Sequence, residues 1–95
     1  MLLSNKNIVI VGGTSGIGFS AASAFVNEGA NVIAIGRKPD RITKTQKILG
    51  NHGTAIQGNA ADSTTAQEGI QLAVDEYGSL HGLYHVAGGS GRGKG

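Results

Sequence analysis

Apolar residues in this chain alternate between short unbroken runs and wider-spaced stripes. Residues 7 to 11, NIVIV, are a β-branched run bounded by lysine and glycine, which predicts a strand buried on both faces. The rhythm then changes. Ile17, Ala21, Ala24 and Phe25 fall at i, i+4, i+7 and i+8, a helical stripe of mostly small side chains that stops at Gly29. A second apolar run over 31 to 35 predicts another strand, after which Pro39 suits a first helical turn and Gly50 closes the helix. Residues 54 to 57 carry a weaker strand signal. Asp62 or Ser63 offers an N-cap to a third helix, in which Ala66, Ile70, Ala73, Val74 and Tyr77 form the apolar stripe and Gly78 ends it. Residues 82 to 87 complete the pattern as a fourth strand.

The order β-α-β-α-β-α-β predicts an α/β fold with parallel strands, joined by right-handed crossovers that put helices on the faces of the sheet. Ninety-five residues suffice for one small domain, and 39% hydrophobic content with a single proline suits a folded chain. Residues 89–95 are glycine, serine and basic residues only, so a flexible tail is expected after a domain over 1–88.

Composition narrows the chemistry. No cysteine is present, which excludes disulfides and thiolate metal sites and makes a cytoplasmic location the expectation. Apolar runs are too short to span a bilayer, so no membrane partner is expected. The formal charge is +2, with Arg37, Lys38, Arg41, Lys44 and Lys47 gathered in one segment that reads as a solvated helix face. With only four aromatics to stack on bases, nucleic acid is not the expected partner, whereas a single anionic group near Arg37 is. Histidines and carboxylates lack metal-ligand spacing on any one element, and His52 and His81 read as loop residues.

The densest signal is IVGGTSGIG at 10 to 18, four glycines directly behind the first strand. Glycine is costly to order, and a turn here lets the backbone approach a pyrophosphate while the next helix offers free N–H groups and its positive dipole end. Gly12 would make the sharp turn, Gly16 the close approach and Gly18 the close packing of helix on strand. Thr14 and Ser15 could add hydroxyl donors. A phosphate loop of the kinase type would need a lysine where Phe19 stands, and a Gly16, Gly18, Ala21 register would leave residues 12 to 15 as an unexplained insertion. At the end of the second strand, where a carboxylate would accept from the ribose hydroxyls of NAD, the chain has Gly36, Arg37 and Lys38. A guanidinium binds a 2′-phosphate bidentately, so NADP(H) is the expected cofactor.

GGTSGIG at 12 to 18, the GR pair at 36 and 37, NAAD at 59 to 62 and HVAGG at 85 to 89 together resemble the N-terminal half of a short-chain dehydrogenase/reductase, over nearly the whole chain. The resemblance implies a Rossmann-like three-layer fold with strand order 3-2-1-4, truncated relative to the family. It implies that Gly12, Gly16, Ile17 and Gly18 form the diphosphate loop and that Arg37, followed by Lys38, marks an NADP preference. It further places Asn59 and Ala60 beside the adenine, and Val86, Ala87 and Gly88, after His85, beside the cofactor's ribose. Two positions depart from the family pattern. Val11 stands where threonine is usual and His85-Val86 where two asparagines are, which removes side chains that tie the fourth strand to the glycine turn. His85 is read as structural.

The family's catalytic tyrosine is followed four residues on by a lysine that lowers its pKa. Here Tyr77 is followed by His81 and Tyr84 by Gly88. No catalytic residue is therefore assigned. An unperturbed phenol is a poor proton-transfer partner at neutral pH. The resemblance implies a carbonyl reductase or alcohol dehydrogenase present as its cofactor-binding fragment, inactive alone, whose full-length parent takes a small carbonyl or alcohol substrate. The alternative is a non-catalytic NADP(H)-binding or sensor module. An uncovered fourth strand would expose unpaired backbone groups, so self-association through residues 83 to 86 is expected.

Overall fold

The computed structural model describes residues 3–12, 14, 16–59 and 61–86. Its elements are β1 (Asn7–Val11), α1 (Gly16–Asn27), β2 (Asn31–Gly36), α2 (Pro39–Leu49), a 3-10 turn (Gly50–His52), β3 (Gly53–Gln57), α3 (Ser63–Tyr77) and β4 (Gly82–His85). The strands form one parallel sheet in the order β3-β2-β1-β4. Ile10 lies opposite Ala34 on one side and Tyr84 on the other. The two β-branched runs occupy the middle of the sheet, where both faces are covered.

Alternation along β1 and β2 divides the core into two layers. Ile8, Ile10, Val32 and Ala34 pack with Ala22 of α1 and Leu49 of α2, while Val9, Val11, Ile33 and Ile35 pack with Ala73 of α3. Two helices therefore cover one face and one helix covers the other. Small residues set how closely they approach. A Cβ placed on Gly69 of α3 would come within 2.7 Å of Ile35 Cδ1 and 2.9 Å of Val9 Cγ1, so this helix rests its backbone on the sheet.

This close approach also rotates the helices relative to the apolar stripes. In α1 the buried positions are Gly18 and Ala22, whereas Ile17 is 79% exposed and Ala24 is exposed. In α3 they are Thr65, Gly69 and Ala73, whereas Val74 is exposed. Counting apolar side chains misses glycine and threonine, which here make the contact because they are small. Helix ends follow the sequence more directly: Asp62 caps α3 by accepting from the Thr64 backbone N–H at 3.0 Å, and Gly50 and Gly78 follow α2 and α3 with φ of 58° and 90°. The Thr64 hydrogen bonds also hold the Asp62 carboxyl below its ordinary value. β3 begins at Gly53, one residue early, because Gly53 already pairs with Val32. Among the described residues, no helix is long and apolar enough to cross a membrane.

A polar clasp closes the end of the sheet where β1 begins. The buried Asn7 donates its backbone N–H to His81 Nδ1 at 2.9 Å and its side-chain amide to the Ser79 carbonyl at 3.1 Å, and it accepts from Asn31 Nδ2 at 2.9 Å. His81 N returns a bond to the Asn7 carbonyl at 2.8 Å. His81 is thus a loop residue whose ring fixes the entry to β4. Removing it strands a buried N–H, so His81→Ala should lower unfolding free energy by about 1–3 kcal/mol in urea melts, while substituting the loop residue His52 should leave it nearly unchanged.

Candidate cofactor-binding site

The site is built at the carboxyl ends of the strands, where β1 hands over to α1. Gly12 turns the chain with φ of 91°, and its N–H donates to the Ile35 carbonyl at 2.8 Å. On its other side, Val86 N donates to the Val11 carbonyl at 2.9 Å, and a Cβ on Gly12 would meet Val86 O at 3.0 Å and Val86 Cβ at 3.1 Å. The turn is thus wedged between β2 and the residue following β4. A main-chain bond and packing by Val86 make this tie, in place of the threonine and asparagine side chains that the sequence lacks at 11, 85 and 86.

Thr14 is 6% exposed and lies across the end of β2. A Cβ on Gly36 would overlap Thr14 Oγ1 and come within 2.7 Å of Thr14 Cβ and Cγ2, so Gly36 must be glycine for the turn to lie flat. Gly16 has φ of 53° and open space around its Cβ direction, and the exposed Ile17 follows it at the mouth of α1. Gly18 is buried beneath them. Of the glycine-loop residues, Gly13 and Ser15 lie outside the described residues, as do Ala60, Ala87 and Gly88.

Across the turn, Arg37 and Lys38 are exposed between β2 and α2. Gly58 N donates to the Gly36 carbonyl at 2.8 Å and Gln57 Nε2 to the Arg37 carbonyl at 3.1 Å, which ties this bend to β3. Lys38 is the N-cap of α2 but caps it with no side-chain hydrogen bond. Two clefts open here. One of about 190 Å³ is lined by Thr14, Arg37, Lys38 and Arg41, and one of about 250 Å³ by Thr14, Gly16, Phe19, Asp40, Arg41 and Lys44. Asn59, exposed after β3, spends its side chain on an Asx turn: Oδ1 accepts from Ala61 N at 2.9 Å, while its carbonyl accepts from Thr65 Oγ1 at 2.7 Å. His85 is exposed on β4 opposite Val11, and Val86 is half-buried behind it.

Thr14, Gly16, Arg37 and Lys38 are thus brought together, with Asn59 and Val86 at neighbouring strand ends. Phe19, Asp40, Arg41 and Lys44 escaped the sequence reading, in which the basic segment is a solvated helix face. Only the packing of α1 and α2 on one side of the sheet turns the first turns of α2 toward the glycine loop. Tyr77 is not in this group. It is half-buried on α3, burial pushes its phenol pKa up, and the Thr54 side-chain hydrogen bond only partly opposes that shift.

Residues 6–94 match the family model of the short chain dehydrogenases. The chain belongs to the short chain dehydrogenase family. It is 39% identical over 88 residues to the uncharacterized oxidoreductase YvrD of Bacillus subtilis, covering 90% of this chain and 33% of that protein. It is 37% identical over 94 residues to 2-(S)-hydroxypropyl-CoM dehydrogenase 3 of Xanthobacter autotrophicus, covering 96% and 37%. Among solved structures, a short chain dehydrogenase of Bacillus anthracis superposes with a TM-score of 0.81 at 24% identity, over 92% of this chain and 36% of that one. The chain therefore spans about a third of the length of its curated relatives.

The short chain dehydrogenase family uses a nicotinamide dinucleotide, and the residues present fit one. A positive-φ glycine turn with open space at Gly16 leaves room for a diphosphate at the mouth of α1, and cations flank the end of β2. The turn itself tolerates little change. Gly12→Ala combines a left-handed backbone with a 3.0 Å contact on a carbonyl oxygen, so it should cost about 1–3 kcal/mol and lower the melting temperature in a thermal scan.

Proposed function

We propose that this chain is the NADP(H)-binding part of a short-chain oxidoreductase of the carbonyl reductase or alcohol dehydrogenase type, working in the cytoplasm. The observation that carries the cofactor choice is the cleft at the end of β2, lined by Arg37, Lys38 and Arg41 with no carboxylate among its described lining residues. A carboxylate at that place would hold the ribose hydroxyls of NAD and repel a 2′-phosphate; a guanidinium does the reverse. In this reading the free N–H groups at the mouth of α1, the Thr14 hydroxyl and that of Ser15 hold the diphosphate. Gly16 and Ile17 leave room for it, and Gly18 seats the helix. Asn59 and Ala60 border the adenine; Val86, Ala87 and Gly88 border the ribose.

The bound dinucleotide supplies the hydride chemistry, as donor to a carbonyl or acceptor from an alcohol. The dehydrogenase and oxidoreductase names of the relatives support that reaction class. No tyrosine of the sequence has a lysine four residues on, so the 95-residue chain binds cofactor without turnover. Titration calorimetry tests the cofactor choice: NADPH should bind more tightly than NADH, and Arg37→Ala should weaken NADPH by about tenfold while leaving NADH nearly unchanged. Equal affinities in the wild-type chain would remove the reading.

The same chain self-associates through β4. That strand is last in the sheet order, with Leu83 44% and Tyr84 49% exposed, although the Tyr84 ring already packs at a tilt against Phe25, ring centroids 5.1 Å apart. Sedimentation velocity should show concentration-dependent dimers that Leu83→Lys abolishes; a monomer at all concentrations would refute this.

A further inference from the structure

The two outer strands of the sheet, β3 and β4, are finished differently along their free edges. Just past β3, Gly58 N donates to the Gly36 carbonyl of β2, so by alternation the main-chain groups of Gly53, Ala55 and Gln57 point away from the sheet. An edge presented in this way is a template for another strand. Gln46 of α2 occupies its first rung. Gln46 Oε1 accepts from the Ala55 N–H at 2.9 Å, and Gln46 Nε2 donates to the Gly53 carbonyl at 3.0 Å. These are the two bonds that the C=O and N–H of one residue in a neighbouring parallel strand would make opposite Thr54. The side-chain amide stands in for a strand residue. On β4 the Val86 N–H donates to the Val11 carbonyl, which by the same alternation turns the main-chain groups of Leu83 and His85 outward. Among the described residues, no side chain bonds to those groups.

We infer that Gln46 closes the β3 edge to other copies of this chain and so confines self-association to β4. The partner is a second copy, and the block decides the form of the assembly. A β4 edge meeting a β4 edge uses the same patch on both copies and closes at a dimer. A β4 edge meeting an open β3 edge would instead continue the parallel sheet and leave a free edge at each end, so that the assembly extends indefinitely. With five and four residues, β3 and β4 are matched in length for that pairing. The β4 half of this inference rests on the self-association reading above; the block on β3 does not.

The test is sedimentation velocity on the wild-type chain, Gln46→Met, and Gln46→Met combined with Leu83→Lys, with circular dichroism confirming that each remains folded. Methionine keeps the length and helix propensity of glutamine but makes neither edge bond. The wild-type chain should stop at the dimer, whereas Gln46→Met should form concentration-dependent species larger than the dimer. Adding Leu83→Lys should return it to species no larger than a dimer, paired through β3. A Gln46→Met chain with the wild-type distribution, or a wild-type chain that itself grows past the dimer, overturns the block while association through β4 stands. A wild-type monomer removes the β4 half alone, and Gln46→Met should then pair through β3. Hydrogen exchange in the wild-type chain gives a reading that needs no variant. The Ala55 amide should exchange about tenfold or more slowly than the outward Gln57 amide of the same strand. Equal rates overturn the block even where Gln46→Met fails to fold.

Discussion

The structure depends on a close three-way fit of main chain at the end of β1. Gly12 turns between the Ile35 carbonyl and Val86, and Thr14 then lies where any side chain on residue 36 would stand. Backbone there is held by backbone on both sides. That constraint places the mouth of α1 directly over the sheet, orients the open Gly16 outward and puts the end of β2 within reach of the same space. It also explains how the turn holds together with valine at 11 and 86: packing and the Val86 N–H do the work that hydrogen-bonding side chains would otherwise do.

The helices obey the same rule of close approach. Ala22 and Gly18 in α1, and Thr65, Gly69 and Ala73 in α3, are the buried contacts, while larger apolar residues such as Ile17 and Val74 are turned outward. Interiors are close-packed, so a helix lowered onto β-branched strands leaves no room for branched side chains of its own at the point of contact. Seating Gly18 against the strand carries Ile17 to the rim beside Gly16, where it faces solvent.

Electrostatics at the site follow from architecture as much as from composition. The chain carries a modest net charge, yet three cations share one small cleft because a strand end and the first turn of a neighbouring helix converge there. At the opposite end of the strands the chain uses neutral polar groups, Asn7, Asn31, Ser79 and His81, whose bonds are directional and fix strand entry without charge. The polar clasp that orders the sheet and the cationic cleft thus lie at opposite ends of the strands.

Element order, strand identity, helix ends and the glycine turn were legible in the sequence by itself, because each rests on local chemistry: β-branched runs, apolar periodicity, an aspartate cap, glycines where φ turns positive. The resemblance to the short chain dehydrogenases rested on motifs of the same local kind. Tertiary structure alone decided which face of α1 and α3 is buried, that Gly36 must yield its volume to Thr14, that His81 is a strand clasp and that Arg41 faces the glycine turn. Each of these depends on a contact between segments far apart in the chain, and periodicity within one segment carries no information about the surface it will meet.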